Sequence, residues 1–446
     1  MVTFRSNCSF ALLAAVATTG LAAAEPFRLH ENIAGGSQYH VSVRVQISGG
    51  LQLPPDATHP TARSLAVSGD SLVEYDERII DVVGRGPVTK TVRAYRQMDF
   101  NRKVGETPQH STLRPEVRRM VLLRKGNLKV PFSPDGPLTW GEIDLVRTDV
   151  FTPALAGLLP DGLVNVSERW VAATPAVREL TDLERIEDGK IDCRLEDIVT
   201  LGGRRLARVS FKGVVRGVNE DGPSRQDLDG FLFFNLDANV LTYLSLKGVH
   251  TLLDRDGRDV GKVEGQFVLT RQHQESPGLS DAALRGVALE PTEANTLLLY
   301  ENPVLGVRLL YPRRWHVAGA RGRQVAIDEA GGKSGLLLTV EPLARVPSGA
   351  QFMAESRTYL GQQKARFLAQ SRVAVVKSTL GSLETFTLDV DLAGKRMTMD
   401  YYVARQANGG ATLVAHLAAG EPAGLRRDVA AIARSVRIVT PLSSPK

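Results

Sequence analysis

Through the first 275 positions apolar and polar residues mostly take turns. In QYHVSVRVQISGG the residues Tyr39, Val41, Val43, Val45 and Ile47 alternate with polar neighbours, as on a strand with one wet face. Similar runs at 88–95, 117–123, 206–218, 231–236 and 240–246 predict further strands. Gly202-Gly203, Asp221-Gly222 and Asp256-Gly257 supply hairpin tips. Helical spacing is confined to 176–186 and a shorter stretch at 153–159. Consecutive hairpins imply an antiparallel meander, and one this long must curl into a barrel, half-barrel or sandwich to hide its edges.

The pattern then breaks. RQHQESPGLSDAALRGVALEPTEAN is polar, holds Pro277, Gly278 and Pro291, and has no sustained period, so 276–295 reads as a linker between a β-rich domain at 25–275 and a second domain at 296–440. In the second domain Val307, Leu309 and Tyr311 alternate, Pro312 ends that strand, and Trp315 and Val317 resume the apolar spacing. Strands at 324–328 and 336–342 are expected next, then a helix over 350–368 with Phe352, Met353, Tyr359, Leu360 and Phe367 on one arc. Strands at 373–378, 384–392, 396–406 and 411–418 follow. A helix opening at Pro422 carries Leu425, Val429, Ile432 and Val436, and a strand at 436–440 ends the domain before a tail at 441–446.

With Asn302, Gly306, Tyr311, Pro312 and Trp315 at its head and Ile432, Ser435 and Ile438 at its tail, this last third resembles the PsbP/DcrB-like family. The resemblance implies an α-β-α sandwich on an antiparallel sheet, in proteins that mostly bind or assemble. The metal-associated role of some plant members rests on residues with no match in this chain and is not carried over. The N-terminal part is similar to uncharacterised exported domains of bacterial envelope proteins, which brings no function. The expected fold class is therefore α+β overall, mostly antiparallel β at the N-terminus and an α-β-α sandwich at the C-terminus.

Composition changes this picture in two places. The first residues combine Arg5, an apolar core over 10–23 and the small-residue pattern Ala22-Ala23-Ala24, an export signal of 24 residues cut after Ala24. Cys8 precedes the apolar core, the wrong place for a lipid-modified cysteine, and no later segment is apolar enough to span a membrane. The expected location is periplasmic or extracellular. Charge is also uneven: from residue 296 onward 20 Lys and Arg face 11 Asp and Glu, while 25–295 carries 34 against 38. The surplus of +9 on the last third favours anionic envelope lipid or polysaccharide as a partner, with Arg313, Arg314, Arg321 and Arg323 as candidate contacts, or another envelope protein that it could dock against. Nucleic acid is not expected.

Candidate chemistry is sparse. Cys193, in KIDCRLEDI, alternates with Ile191 and Leu195 as a core residue would. Gly69-Asp70-Ser71-Leu72 spells the motif of a serine esterase class, but the D-x-x-H at 56–59 precedes it and Gly217-Val218-Asn219-Glu220 ends in the wrong acid, so the match reads as a turn. DRDGRD at 254–259 lacks the sixth-position glycine and twelfth-position glutamate of an EF-hand loop and reads as a hairpin tip. The eight histidines show no metal-ligand spacing, no phosphate-binding loop is present, and the sequon Asn165-Val166-Ser167 carries no weight. No catalytic, metal or cofactor residues are assigned. The expectations are a non-enzymatic binding or scaffold protein of the envelope, a carrier of an apolar ligand in a half-barrel lined by Leu, Val and Phe, or a hydrolase assembled from distant residues.

Overall fold

A computed structural model describes residues 26–53, 55, 60–84, 87–126, 128–378, 381–418 and 423–439. The export signal with Ala22 and Ala24, the D-x-x-H at 56–59, Pro422 and the tail lie outside the described residues. The N-terminal unit runs β1 (Phe27–Arg28), β2 (Gln38–Leu53), β3 (Arg63–Val82), β4 (Val88–Val104), β5 (Thr107–Thr112), β6 (Arg119–Lys125), β7 (Leu128–Phe132), α1 (Trp140–Thr148), β8 (Leu163–Val164), β9 (Arg169–Val171) and α2 (Thr174–Thr181). It continues through β10 (Arg185–Leu201), β11 (Arg204–Asn219), β12 (Gly222–Asn235), β13 (Val240–Leu253) and β14 (Asp259–His273).

Twelve of these strands make one antiparallel sheet in the order β7-β6-β4-β3-β2-β14-β13-β12-β11-β10-β9, with β5 added on β4. No pairing joins its two ends among the described residues, so the sheet is open. Register shifts at Glu74/Tyr75 and Ile79/Asp81 between β3 and β4, and at Leu195/Asp197 between β10 and β11, bend it as bulges do. Two strands approach very closely at Gly213, where a Cβ would sit 2.0 Å from the Lys190 carbonyl oxygen; no other residue fits there. The connection from β7 to β10 folds over the inner face. Ile143 and Val146 of α1, Leu155 and Leu158 of a 3-10 turn, and Val177 of α2 share one core with Tyr39, Val41, Val43 and Tyr75.

The segment 276–295 is packed onto the back of this sheet. It contains a 3-10 turn at Pro277–Leu279 and α3 (Asp281–Leu284), and Leu279 and Leu284 are buried against Val92, Val121 and Phe132. Arg78 donates to the Leu279 carbonyl at 2.7 Å and pairs with Asp281.

The C-terminal unit contains β15 (Leu298–Asn302), β16 (Val307–Tyr311), β17 (Trp315–Arg321), β18 (Gln324–Glu329), β19 (Gly335–Glu341), α4 (Gly349–Gln362), β20 (Arg366–Gln370) and β21 (Ala374–Ser378). It ends with β22 (Gly381–Leu392), β23 (Lys395–Gln406), β24 (Gly409–Ala418), α5 (Ala423–Ser435) and β25 (Arg437–Ile438). An eight-stranded sheet, β17-β18-β19-β24-β23-β22-β20 with β21 on β22, stands beside the small sheet β15-β16-β25.

This overturns the expected α+β class and the α-β-α sandwich. The chain is predominantly antiparallel β, and among the described residues only five α-helices occur, the longest of 14 residues. Each face of the eight-stranded sheet receives one helix rather than a helical layer. Phe352, Met353 and Leu360 of α4 pack on Phe386, Leu388 and Tyr401, whereas Leu425, Val429 and Ile432 of α5 join Trp315, Leu338 and Leu413. Part of the error is one of length. The helix expected to reach 368 stops at Gln362, because Lys364 takes a left-handed turn (φ 58°) and Phe367 belongs to β20.

The two units touch where Leu138 forms a parallel bridge with Leu298 and where Arg313, which also donates to Thr296 of its own unit (3.0 Å), donates to the Pro131 carbonyl (2.5 Å).

Candidate functional site

On the long strands every second residue faces inward, but the β7–β10 connection covers only one end of that inner face. Tyr39, Val41 and Val43 of β2 are buried beneath it, while Val45, Ile47 and Leu51, further along the same strand, are only partly covered. The uncovered end is a trough of about 670 Å³, lined by Val45, Ile47 and Leu51 with Leu246 and Leu252 of β13 and Phe267 of β14; Leu180 of α2 borders it.

Its floor is low for a reason written in the register. Gly69, Ile47, Gly265, Gly248 and Leu228 stand directly across from one another on β3, β2, β14, β13 and β12, so three of five floor positions lack a side chain. Polar side chains interrupt the apolar lining: Arg102, Asp221, Gln226, His250 and Gln266 also border the trough. His250 Nε2 is buried and has no hydrogen-bond partner, and burial pushes the ring below its usual 6.5, against the pull of Asp221. A neutral imidazole carries one donor and one acceptor.

Beneath the covering connection lies a charged cluster. Arg93 donates to Glu77 (2.9 Å), Asp149 (2.6 Å) and the Val150 carbonyl (2.9 Å) and stacks over the Tyr75 ring at 4.2 Å; Arg93 and these three partner side chains are all buried. Glu77 also accepts from Thr152 (2.5 Å), and Arg271, over the Tyr39 ring, donates to Glu31 at 2.9 Å. Burial pushes the Asp149 carboxyl above its usual range, with Arg93 and Lys129 opposing, and pushes the Tyr75 hydroxyl well up. The Arg93 and Glu77 contacts join the connection to β3 and β4, while Arg271 ties β14 to the segment before β2, so together they hold the trough's covered end in place. Sequence reading missed them, although a signal exists: Glu77 is in phase with buried Tyr75 and Ile79, and Arg271 with Leu269.

The candidate surface arginines are not gathered into one patch of free charges. Arg313 is half-buried and spent on two carbonyls, Arg314 pairs with Asp428, Arg323 pairs with Glu341 at 2.7 Å, and Arg321 is exposed at the end of β17. Trp315 is 1% exposed and its indole N–H donates to Asp428 at 2.9 Å. Cys193 is buried in β10, its thiol pushed up to about 12 by burial and by Asp192. The expected turn at 69–72 is mid-strand in β3, with Ser71 buried opposite Val45 and Phe100. At 254–259 Asp254 Oδ1 accepts from the backbone of Asp256 and Arg258, a self-contained turn with Gly257 at φ 79°. No group of side chains suited to a metal ion occurs among the described residues, and none of their helices is long and apolar enough to cross a membrane.

No known family signature and no curated protein matches the sequence. Among solved structures the chain is similar to cyanobacterial PsbP (CyanoP) from Synechocystis sp. PCC 6803, at 13% identity, covering 32% of this chain and 92% of that one with a TM-score of 0.26. It is also similar to a structure titled for lipid–protein interactions in lipovitellin, at 8% identity, 55% of this chain, 26% of that chain and a TM-score of 0.31. A Rh. blastica porin mutant follows at 6% identity and a TM-score of 0.11, covering 85% and 98% of the two chains. The chain spans about a quarter of the lipovitellin chain it matches. Likenesses this distant carry no argument about what the chain does.

Proposed function

We propose that this is an exported, non-enzymatic binding protein of the cell envelope whose N-terminal sheet holds an apolar ligand in its open trough. The observation that carries the reading is the uncovered stretch of inner face. Val45, Ile47, Leu51, Leu246 and Phe267 give an apolar side to a concavity of about 670 Å³, within the size range of small-molecule sites. Leaving such surface in water costs roughly 25 cal/mol per Å², a cost that a bound hydrocarbon chain removes. Arg102, Gln226 and His250 border the same trough and supply polar groups beside the apolar surface, which suits an amphipathic chain with a polar end. Export rests on the first 24 residues.

The test uses Gly265. A Cβ there meets Ile47 Cγ2 at 3.6 Å, ordinary contact, so Gly265→Leu fits the strand and fills the floor. Wild-type protein should take up a fluorescent polyunsaturated fatty acid saturably and carry apolar molecules detectable by mass spectrometry of a solvent extract. Gly265→Leu should melt normally and lose both. Wild-type protein that neither carries nor takes up an apolar molecule rejects the reading.

A further inference from the structure

The outer face of the same sheet segment is also hollow, and its chemistry is opposite. A cleft of about 1180 Å³ crosses β5, β4, β3, β2, β14, β13 and β12 on the side away from the trough. Asn101, Asp70, Gln46, Gln266, Lys247 and Asp229 stand directly across from one another on six neighbouring strands, all exposed. At about 4.8 Å per strand that row extends about 24 Å. His110 of β5 lengthens it, with Nδ1 2.9 Å from Asn101 Oδ1, and Asn101 Nδ2 donates to Asp70 at 3.1 Å. These bonds orient an amide and a carboxylate at one end of the row.

We propose that this cleft binds an uncharged oligosaccharide. Amides and carboxylates present paired donor and acceptor atoms, the arrangement that hydroxyl groups, each both donor and acceptor, satisfy. The charge is mixed, with Asp70, Asp227, Asp229 and Glu264 against Lys103 and Lys247, so a polyanion gains nothing from entering. The row's length suits an extended chain of sugars. Beyond Asp229 the same face carries Phe231, Phe233 and Tyr243, partly exposed, with ring centroids 5.6–5.9 Å apart. Arg208 lies over Phe231 at 5.1 Å, and the cluster gives the C–H face of a sugar ring an apolar seat beside the polar row. This site does not depend on the trough.

Calorimetric titration of the full chain with cellohexaose, chitohexaose and maltohexaose, and with a sulfated hexasaccharide as control, tests it. At least one neutral sugar should bind saturably, equally at low and half-molar salt. Gln46→Ala/Gln266→Ala should weaken it roughly tenfold or more, since two amides that hydrogen-bond the sugar are removed. Both glutamines are exposed, so the melting temperature should hold, and Asp70→Ala, at the other end of the row, should weaken binding too. No binding of any neutral sugar, binding untouched in both variants, or binding of the sulfated control alone overturns the proposal.

Discussion

Arg93 shows how a single residue can secure a whole covering segment. It is fully buried and neutralises part of two carboxylates that come from different places in the chain, Glu77 on β3 and Asp149 after α1. Removing one partner of a buried ionic group leaves the others uncompensated, which typically costs 3–5 kcal/mol. Arg93→Leu should therefore destabilise the protein by about that amount in urea unfolding, and adding Glu77→Leu should restore part of it. A full loss with no recovery in the double variant would mean that shape, not charge, decides. Trp315 is the corresponding residue of the C-terminal unit. Trp315→Ala should cost about 3–5 kcal/mol, because it empties a large aromatic site and strips Asp428 of a donor. A chemical denaturation curve that hardly moves would place its importance elsewhere.

At the scale of one element, α1 is held by its first turn. Thr139 accepts from the Glu142 N–H at 3.2 Å while Glu142 accepts from the Thr139 N–H at 2.8 Å, and Arg114 adds two bonds of 2.8 Å to the same carboxylate. Burial pushes Glu142 up, but Arg114 and the backbone donor outweigh it, so its folded value lies below the usual 4.5. A depressed carboxylate stabilises the fold above its unfolded pKa, and the contribution fades as pH falls through the folded value. Thermal melts between pH 6 and pH 3 should show wild type losing stability below about pH 4.5 more steeply than Glu142→Gln; parallel profiles would contradict this. Elements like the strand through Tyr39–Ile47 were legible in the sequence because alternation is local. The end of α4 was not, since Ala365–Phe367 continue an apolar pattern that only the turn at Lys364 interrupts. The trough floor and the polar row were invisible for a stronger reason: Ile47 and Gly265, or Gln46 and Gln266, become neighbours only through register.

For the whole molecule, the uneven charge has fewer free carriers than composition suggests. Arg313 is bound to carbonyls, and Arg314 and Arg323 to carboxylates, so attraction to anionic envelope material should be weak. Sedimentation of the full chain with anionic and neutral vesicles should show slight, salt-sensitive binding to the anionic ones alone, as screening over about 8 Å at physiological salt dictates. Equal binding to both would remove electrostatics from the account. The pairing of β2 with β14 governs something else, the order of events in time. Val45 lies beside Phe267, and Glu31 meets Arg271, although more than two hundred residues of chain separate each pair. The sheet is two meanders sewn together at its middle, and the seam is also where the trough and the polar cleft lie back to back. Contacts of such high order are slow to form. A chain emerging from its N-terminus can build β2 to β7 early, yet β2 keeps a bare edge until residues 259–273 arrive. Both proposed sites are therefore absent from every shorter intermediate, and neither ligand can be caught before the chain is nearly complete.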